Sequence, residues 1–231
     1  MTEQLAAVRR SRVRRPKQDR SRSSMERLLA AAVKMLVQGG YSEFTLQELS
    51  KRAKVSIGSI YLRFENKQAL IREVQIRFLH QIEREHAVII NGLRRRGLAL
   101  RELVPIAIRE YGGFLRKHAD LLRVFMELAP TDPIVAAHGK KYYGQSATDF
   151  ALLLLDRRDE IRHPDPEHAV EACFAVMYAS VGRHLGLGTT SDVMGEGNWD
   201  TLLDDLSLMS VLWLVGGDPD ADRSIFLAMG K

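Results

Sequence analysis

Residues 41 to 70, YSEFTLQELSKRAKVSIGSIYLRFENKQAL, limit the possible folds more than any other stretch of the chain. Two short helices and the start of a third are readable there from side-chain chemistry alone. Thr45 followed three residues later by Glu48 has the form of a capping box, in which the hydroxyl takes an orphan backbone N–H and the carboxylate reaches back. A helix therefore starts at Thr45. Leu46, Leu49 and Ala53 recur at helical spacing as one apolar stripe, with Gln47, Glu48, Lys51 and Arg52 turned to water. Lys54-Val55-Ser56 supplies a tight turn, and Ser56 is placed to cap a second short helix running to about Phe64. Two short helices on so tight a joint form a helix-turn-helix.

In the second of these helices Ile60 and Phe64 fall one turn apart and face the core. Ile57, Gly58, Ser59, Tyr61 and Leu62 spread over its other sides, with no acidic group among them, as a helix pressed into a major groove requires. Asn66 can cap a third helix whose first turn holds Lys67. A cation is unfavourable beside the positive end of a helix, so the expected compensation is an external anion shared by Lys67 and the free N–H groups.

The ordered set of Gly39-Gly40-Tyr41, Phe44-Thr45, Ala53-x-Val55-Ser56-x-Gly58-x-Ile60-Tyr61-x-x-Phe64 and Asn66-Lys67-x-x-Leu70 resembles the DNA-binding half of the tetracycline-repressor (TetR) family of transcription regulators. The resemblance implies that Thr45, Tyr61 and Lys67 contact phosphates, and that Ser56, Ile57, Gly58, Ser59 and Leu62 lie on the face that reads bases. It further implies a homodimer on a palindromic double-stranded operator and a small-molecule effector bound in the remaining helices. Two positions depart from the family pattern, Lys54 where glycine is usual and Ile57 where a polar residue is common. Lys54 can hold a left-handed turn at a cost of about 1 kcal/mol.

Charge is distributed in the same sense. The first 70 residues carry 15 Lys and Arg against 6 Asp and Glu, a net of +9; the remainder has 34 − 15 = 19 against 29 − 6 = 23, a net of −4. A polyanion is therefore expected at one end only. Residues 1–22 are arginine-rich with little apolar material and read as a disordered basic arm, one that follows the DNA or one that is merely solvated. Cys173 is the sole cysteine, which excludes an intramolecular disulfide and suits a buried thiol in a reducing compartment. No apolar run approaches the ~20 residues of a membrane helix, so a cytoplasmic protein with no membrane partner is expected.

The whole reads as all-α: a three-helix DNA-binding domain over 23–70 and a helical ligand-sensing and dimerisation domain over 71–231. The first helix starts near Ser23 and ends at Gly39-Gly40. Beyond Asn66, helices are predicted over 67–91, 98–117, 119–128, 132–159, 166–185 and 199–215, with an Arg94-Arg95-Arg96 turn between the first two and Gly112-Gly113 weakening the second. The helix over 166–185 is rich in small residues, and the last carries apolar groups on two sides, one of which needs a partner. By resemblance these two helices form a four-helix dimer interface, with Ala175, Ala179, Gly182, Leu202, Leu206, Met209 and Trp213 as its candidates. An internal core would show much the same pattern.

A sensor cavity is likewise implied by the resemblance alone. Its candidate lining is Phe114, Phe125, Met126, Tyr143, Phe150, Phe174, Met177 and Tyr178, drawn from a wider set that includes Tyr111, Leu122 and Tyr142; each could equally be ordinary core. No metal site or cofactor is expected: no His-x-x-x-His or Cys-x-x-Cys spacing occurs, and the Asp218-x-Asp220-x-Asp222 run lacks the glycine and the closing glutamate of a calcium loop. Nucleophile-elbow, phosphate-loop and metalloprotease motifs are missing, which argues against an enzyme. The expected function is a sequence-specific DNA-binding regulator, a repressor released by a small, largely apolar ligand. The alternative is a helical module that binds nucleic acid without sequence preference.

Overall fold

The computed structural model describes residues 17–188 and 195–216. The far end of the basic arm, part of the glycine-rich loop and the Asp218–Asp222 run lie outside the described residues. Eight α-helices account for most of the described chain: α1 (Lys17–Gly39), α2 (Leu46–Ala53), α3 (Ile57–Tyr61), α4 (Lys67–Arg95), α5 (Leu100–Leu128), α6 (Pro133–Leu155), α7 (Pro166–His184) and α8 (Trp199–Val215). No strand occurs among the described residues.

Most helix starts follow from capping chemistry. Thr45 Oγ1 accepts from Glu48 N at 3.2 Å, Ser56 Oγ from Ser59 N at 3.2 Å, and Asn66 Oδ1 from Ala69 N at 2.8 Å. Asp132 and Asp165 cap α6 and α7 with a proline at the first helical position of each, and Asn198 caps α8. The capping box at Thr45 is only half made. The Glu48 carboxylate turns away to Arg52 Nε at 2.9 Å, an ion pair one turn further on. Lys54 closes α2 with φ 53° and ψ 46°, so a lysine does occupy the left-handed position.

Several boundaries differ from expectation, each for a local or tertiary reason. Residues 17–22 of the expected disordered arm are the opening turns of α1, where Arg22 pairs with Glu26 and Arg27 reaches Ser23. Helix α3 spans five residues, although Leu62 N to Gly58 O at 3.0 Å and Phe64 N to Ile60 O at 2.9 Å continue the winding to the expected end. Helix α4 passes the expected stop at Asn91, so Arg94 and Arg95 form its last turn. Arg94 there pairs with Asp156 at 2.8 Å and Arg96 with Glu110 at 3.7 Å, which ties the arginine run to the body of the protein. Helix α6 stops at Leu155, and Arg158–Glu160 form a separate 3-10 turn.

The two segments expected on either side of residue 118 are one helix, α5, unbroken by Pro105 or by Gly112-Gly113. A Cβ at Gly112 would lie 2.9 Å from Leu203 Cδ2, so this glycine admits α8 against α5 and does not interrupt the helix. Helix α5 is the centre of the molecule, touching α1, α4, α6, α7 and α8. At the amino end Leu28, Leu36, Phe44, Leu49, Ile60 and Leu70 close a compact head core from α1, α2, α3 and the start of α4. Helix α4 then runs straight through the expected domain boundary at residue 70 and links head to body as one rod about 44 Å long, at 1.5 Å per residue. No helix of the described residues is long and apolar enough to cross a membrane.

Candidate functional site

On the head, Ile60 is buried and turns α3 so that its opposite side is bare. Ser56, Ile57 and Gly58 are exposed, Tyr61 is 53% and Leu62 88% exposed, and Ser59 is half-buried. The hydroxyls of Ser56 and Ser59 lie 2.8 Å apart and brace the first turn. A Cβ built on Gly58 meets nothing within 4 Å, so the chain's own packing does not require glycine there. Thr45 is exposed at the start of α2, its hydroxyl engaged with Glu48 N. Arg63 Nη2 donates to Ser21 Oγ at 3.1 Å and anchors the end of the α3 turn to the start of α1.

Lys67, expected to hold an external anion, also has a partner inside the protein. Its Nζ donates to Tyr41 O at 2.6 Å and sits 3.8 Å from the centroid of the Tyr41 ring. Burial lowers the pKa of this ammonium. One of its three N–H bonds is used; the half-exposed group retains the others.

In the body, a cavity of about 310 Å³ opens between α4, α5, α6 and α7. Phe125, Met126, Tyr143 and Tyr178 of the candidate set line it, as do Leu122 and Tyr142 of the wider set. Phe114, Phe150, Phe174 and Met177 are not in its lining. They pack behind it in an aromatic core, with Phe174 centred 5.5 Å from Phe150 and 5.4 Å from Tyr111. Burial pushes the Tyr178 phenol up to about 12 and also raises Tyr111 and Tyr142 well above the ordinary phenol value, so all three are neutral donors at physiological pH.

Sequence reasoning missed Gln75, Leu79, Val135 and Gly139 in the same lining. Gln75 was detectable: it interrupts the stripe Ile71, Gln75, Leu79, Ile82, and a polar residue at a core position of a long helix needs partners. It has them, since Nε2 donates to Val135 O at 2.9 Å and Oε1 lies 3.1 Å from His138 Nδ1. One turn earlier, Arg72 pairs with Asp132 at 2.9 Å. Helix α4 is thus clamped to the start of α6 just below the head. A second, wider groove of about 360 Å³ lies at the seam between head and body, between Leu29, Val33 and Val37 of α1 and Val74, Phe78 and Leu121 of α4 and α5.

Residues 28–74 match the family described as bacterial regulatory proteins, tetR family. The head of the chain is thus similar to the DNA-binding part of that family. An uncharacterised HTH-type transcriptional regulator of Bacillus subtilis (strain 168), YvkB, is 40% identical over 50 residues, which are 22% of this chain and 26% of that protein, so the match spans about a quarter of the relative. Among solved structures, a putative TetR-family regulator from Mesorhizobium loti superposes with a TM-score of 0.68 at 16% identity, covering 84% of this chain and 96% of the other. A transcriptional regulator from Rhodococcus sp. Rha1 gives 0.62 at 20% identity over 83% and 97%. FadR from Bacillus subtilis, solved with stearoyl-CoA, gives 0.57 at 19% identity over 84% and 99%. At these identities the structures speak for a shared fold.

The other surface singled out is the outer side of α7 and α8. Ala175, Val176 and Ala179 of α7 are exposed, and so are Leu208, Met209, Leu212 and Trp213 of α8. Leu202 is half-buried. Leu206 is only 4% exposed and Gly182 is buried against Leu187, so both serve the chain's own core. Leu208 and Leu212 were missed because α8 carries apolar residues on more than one side and its periodicity does not say which of them faces in; Val176, on α7, was passed over for its small neighbours. Cys173 is a buried thiol, raised to about 11 by burial, and belongs to neither surface.

Proposed function

We propose that the protein is a sequence-specific DNA-binding transcription regulator, a homodimeric repressor whose hold on a palindromic operator is released by a small, largely apolar ligand. The observation that carries this reading is the bare side of α3, where Ile57, Gly58, Tyr61 and Leu62 are left exposed on a helix fixed by Ile60, and where the glycine answers no need within the chain. A glycine costs a helix roughly 1 kcal/mol relative to alanine, and close approach of a base edge or phosphate explains its presence. Ser56, Ile57, Gly58, Ser59 and Leu62 would meet the groove, and Thr45, Tyr61 and Lys67 the flanking phosphates.

The apolar faces of α7 and α8 would pair two copies, since a contiguous patch of this kind is unusual on a monomer. The release mechanism follows from the clamp at Gln75. This side chain is part of the cavity wall and also holds α4 to Val135 of α6, so a ligand that displaces it removes one of the two ties of the head-bearing rod to the start of α6 and leaves there only the Arg72–Asp132 pair. Two heads on one duplex must sit about 34–36 Å apart or a multiple of that, and a small swing of each α4 spoils the spacing. A coupling of about 1–3 kcal/mol would lower operator affinity some 5- to 150-fold. The FadR neighbour with stearoyl-CoA supports a ligand site in a body of this shape.

The net charge of the first 70 residues favours a second reading, sequence-blind binding to nucleic acid. Competition distinguishes the two. A labelled duplex carrying the preferred site should remain bound in hundredfold excess of random duplex at moderate salt, on the order of the 10³-fold or greater discrimination of specific binders. Complete displacement by random DNA would leave only the second reading.

A further inference from the structure

Three buried polar atoms, one in the cavity lining and two behind it, have no hydrogen-bond partner: Tyr142 Oη, and Tyr111 Oη and His86 Nε2. Tyr111 and His86 are 2% exposed and Tyr142 is 7%. Each orphan costs about 1–3 kcal/mol, so three together call for an explanation. They are neighbours. The His86 ring meets the Tyr111 ring edge-on at 5.3 Å, the phenols of Tyr111 and Tyr142 act on one another, and Tyr142 lines the cavity. Ser146, itself buried, is near enough to favour ionisation of both phenols against their burial, yet neither hydroxyl makes a hydrogen bond of normal geometry.

The rest of the lining limits what can complete them. Leu79, Leu122, Phe125, Met126 and Val135 are apolar, Tyr143 and Tyr178 add two phenols, and both ends of the Gln75 amide are already engaged. The one charged lining side chain, Lys140, is exposed at the rim. The charges that act on Tyr142 are the carboxylates of Glu83 and Asp149, which would repel an anionic head. A cation would find aromatic faces but leave the hydroxyl hydrogens unpaired. The volume, about 310 Å³, is roughly twice the ~150 Å³ apolar cavity that accepts a six-carbon ring.

We propose, on the reading that this cavity is the sensor site, that its ligand is an uncharged, mainly apolar molecule of roughly a dozen non-hydrogen atoms, with one acceptor oxygen bound by the hydroxyl of Tyr142 in the lining, backed by that of Tyr111 behind it. Calorimetric titration of the full chain with four matched probes tests it: valerophenone, pentylbenzene, 5-phenylpentanoate and 3-phenylpropyltrimethylammonium. Valerophenone should bind about tenfold or more tightly than the other three, as one good hydrogen bond in a dry site allows. The double variant Tyr111→Phe, Tyr142→Phe should lose about tenfold for valerophenone and little for pentylbenzene, and should melt no lower than the native protein, because it removes unpartnered groups at constant shape. Equal binding of ketone and hydrocarbon, tightest binding of either ion, ketone affinity untouched by the double variant, or a lower melting temperature would overturn the proposal. Gly139→Leu separates this failure from failure of the site itself, since a side chain there has open space beside the cavity. If valerophenone binds this variant as well as the native chain, the cavity is not the sensor site at all.

Discussion

Gly58 and Lys67 show how a single residue divides its duties between fold and function. Gly58 sits in α3 with open space where a Cβ would be, so Gly58→Ala should stabilise the chain by about 0.5–1 kcal/mol. On the operator the same methyl intrudes on a close contact and should weaken binding by about 1–3 kcal/mol. A melting curve and a binding isotherm on the same variant check both signs; unchanged affinity would remove Gly58 from the contact surface. Lys67 is held by Tyr41 in the free protein but keeps N–H bonds for a phosphate. Lys67→Ala should therefore weaken binding to every duplex and flatten the dependence of log K on log salt by about one unit. An unflattened slope with a lower melting temperature would make Lys67 purely an internal tie. Its position in the sequence pointed to an anion; Tyr41, 26 residues away, was visible only in the fold.

At the scale of the element, α8 separates what periodicity can tell from what it cannot. Its ends were legible from Asn198 and from the apolar run that follows. Its facing was not, because Leu203, Leu206 and Leu214 turn inward while Leu208, Met209, Leu212 and Trp213 turn outward, and all are apolar. Met209→Asp with Leu212→Asp should therefore give a folded, helical monomer by light scattering. Leu206→Asp should unfold the body, since an unpaired charge would be buried there. A dimer that survives the first change would move the interface elsewhere.

Helices α4 and α5 are tied by Glu85, which Gln81, Lys117 and His118 hold down to about 2 from its ordinary 4.5. A depressed carboxylate contributes stability that is complete above its unfolded pKa and lost as pH falls through the folded one. The stability gap between the native protein and Glu85→Gln should thus be steady near neutrality and close between about pH 4.5 and 2. The gap will be modest, because the group is partly solvated. A gap that persists unchanged at pH 2 would assign the effect to shape rather than charge.

For the whole molecule, the features legible in the sequence were those written locally. The caps at Thr45, Ser56, Asn66, Asp132 and Asp165 mark helix starts with no knowledge of the rest of the chain. What was not legible depends on distant partners. Helix α5 runs through Gly112 because Leu203 of α8 fills the space, and α4 runs past Asn91 where Arg94 reaches Asp156. The exposed side of α3 was foreseen except at Ser59, which is half-buried, because Ile60 and Phe64 fix its rotation from within the same short stretch. The cavity was half foreseen, since which aromatic rings line a space and which back it is decided by how four helices meet.

Two heads of this kind are proposed to read one duplex together. Selection of bound duplexes from a fully random library by the purified chain tests that directly. It should recover a single inverted repeat whose half-sites are centred one helical turn apart or a multiple of it, about 10–10.5 base pairs per turn. Recovery of unrelated sequences, or of a single half-site with no repeat, would contradict it.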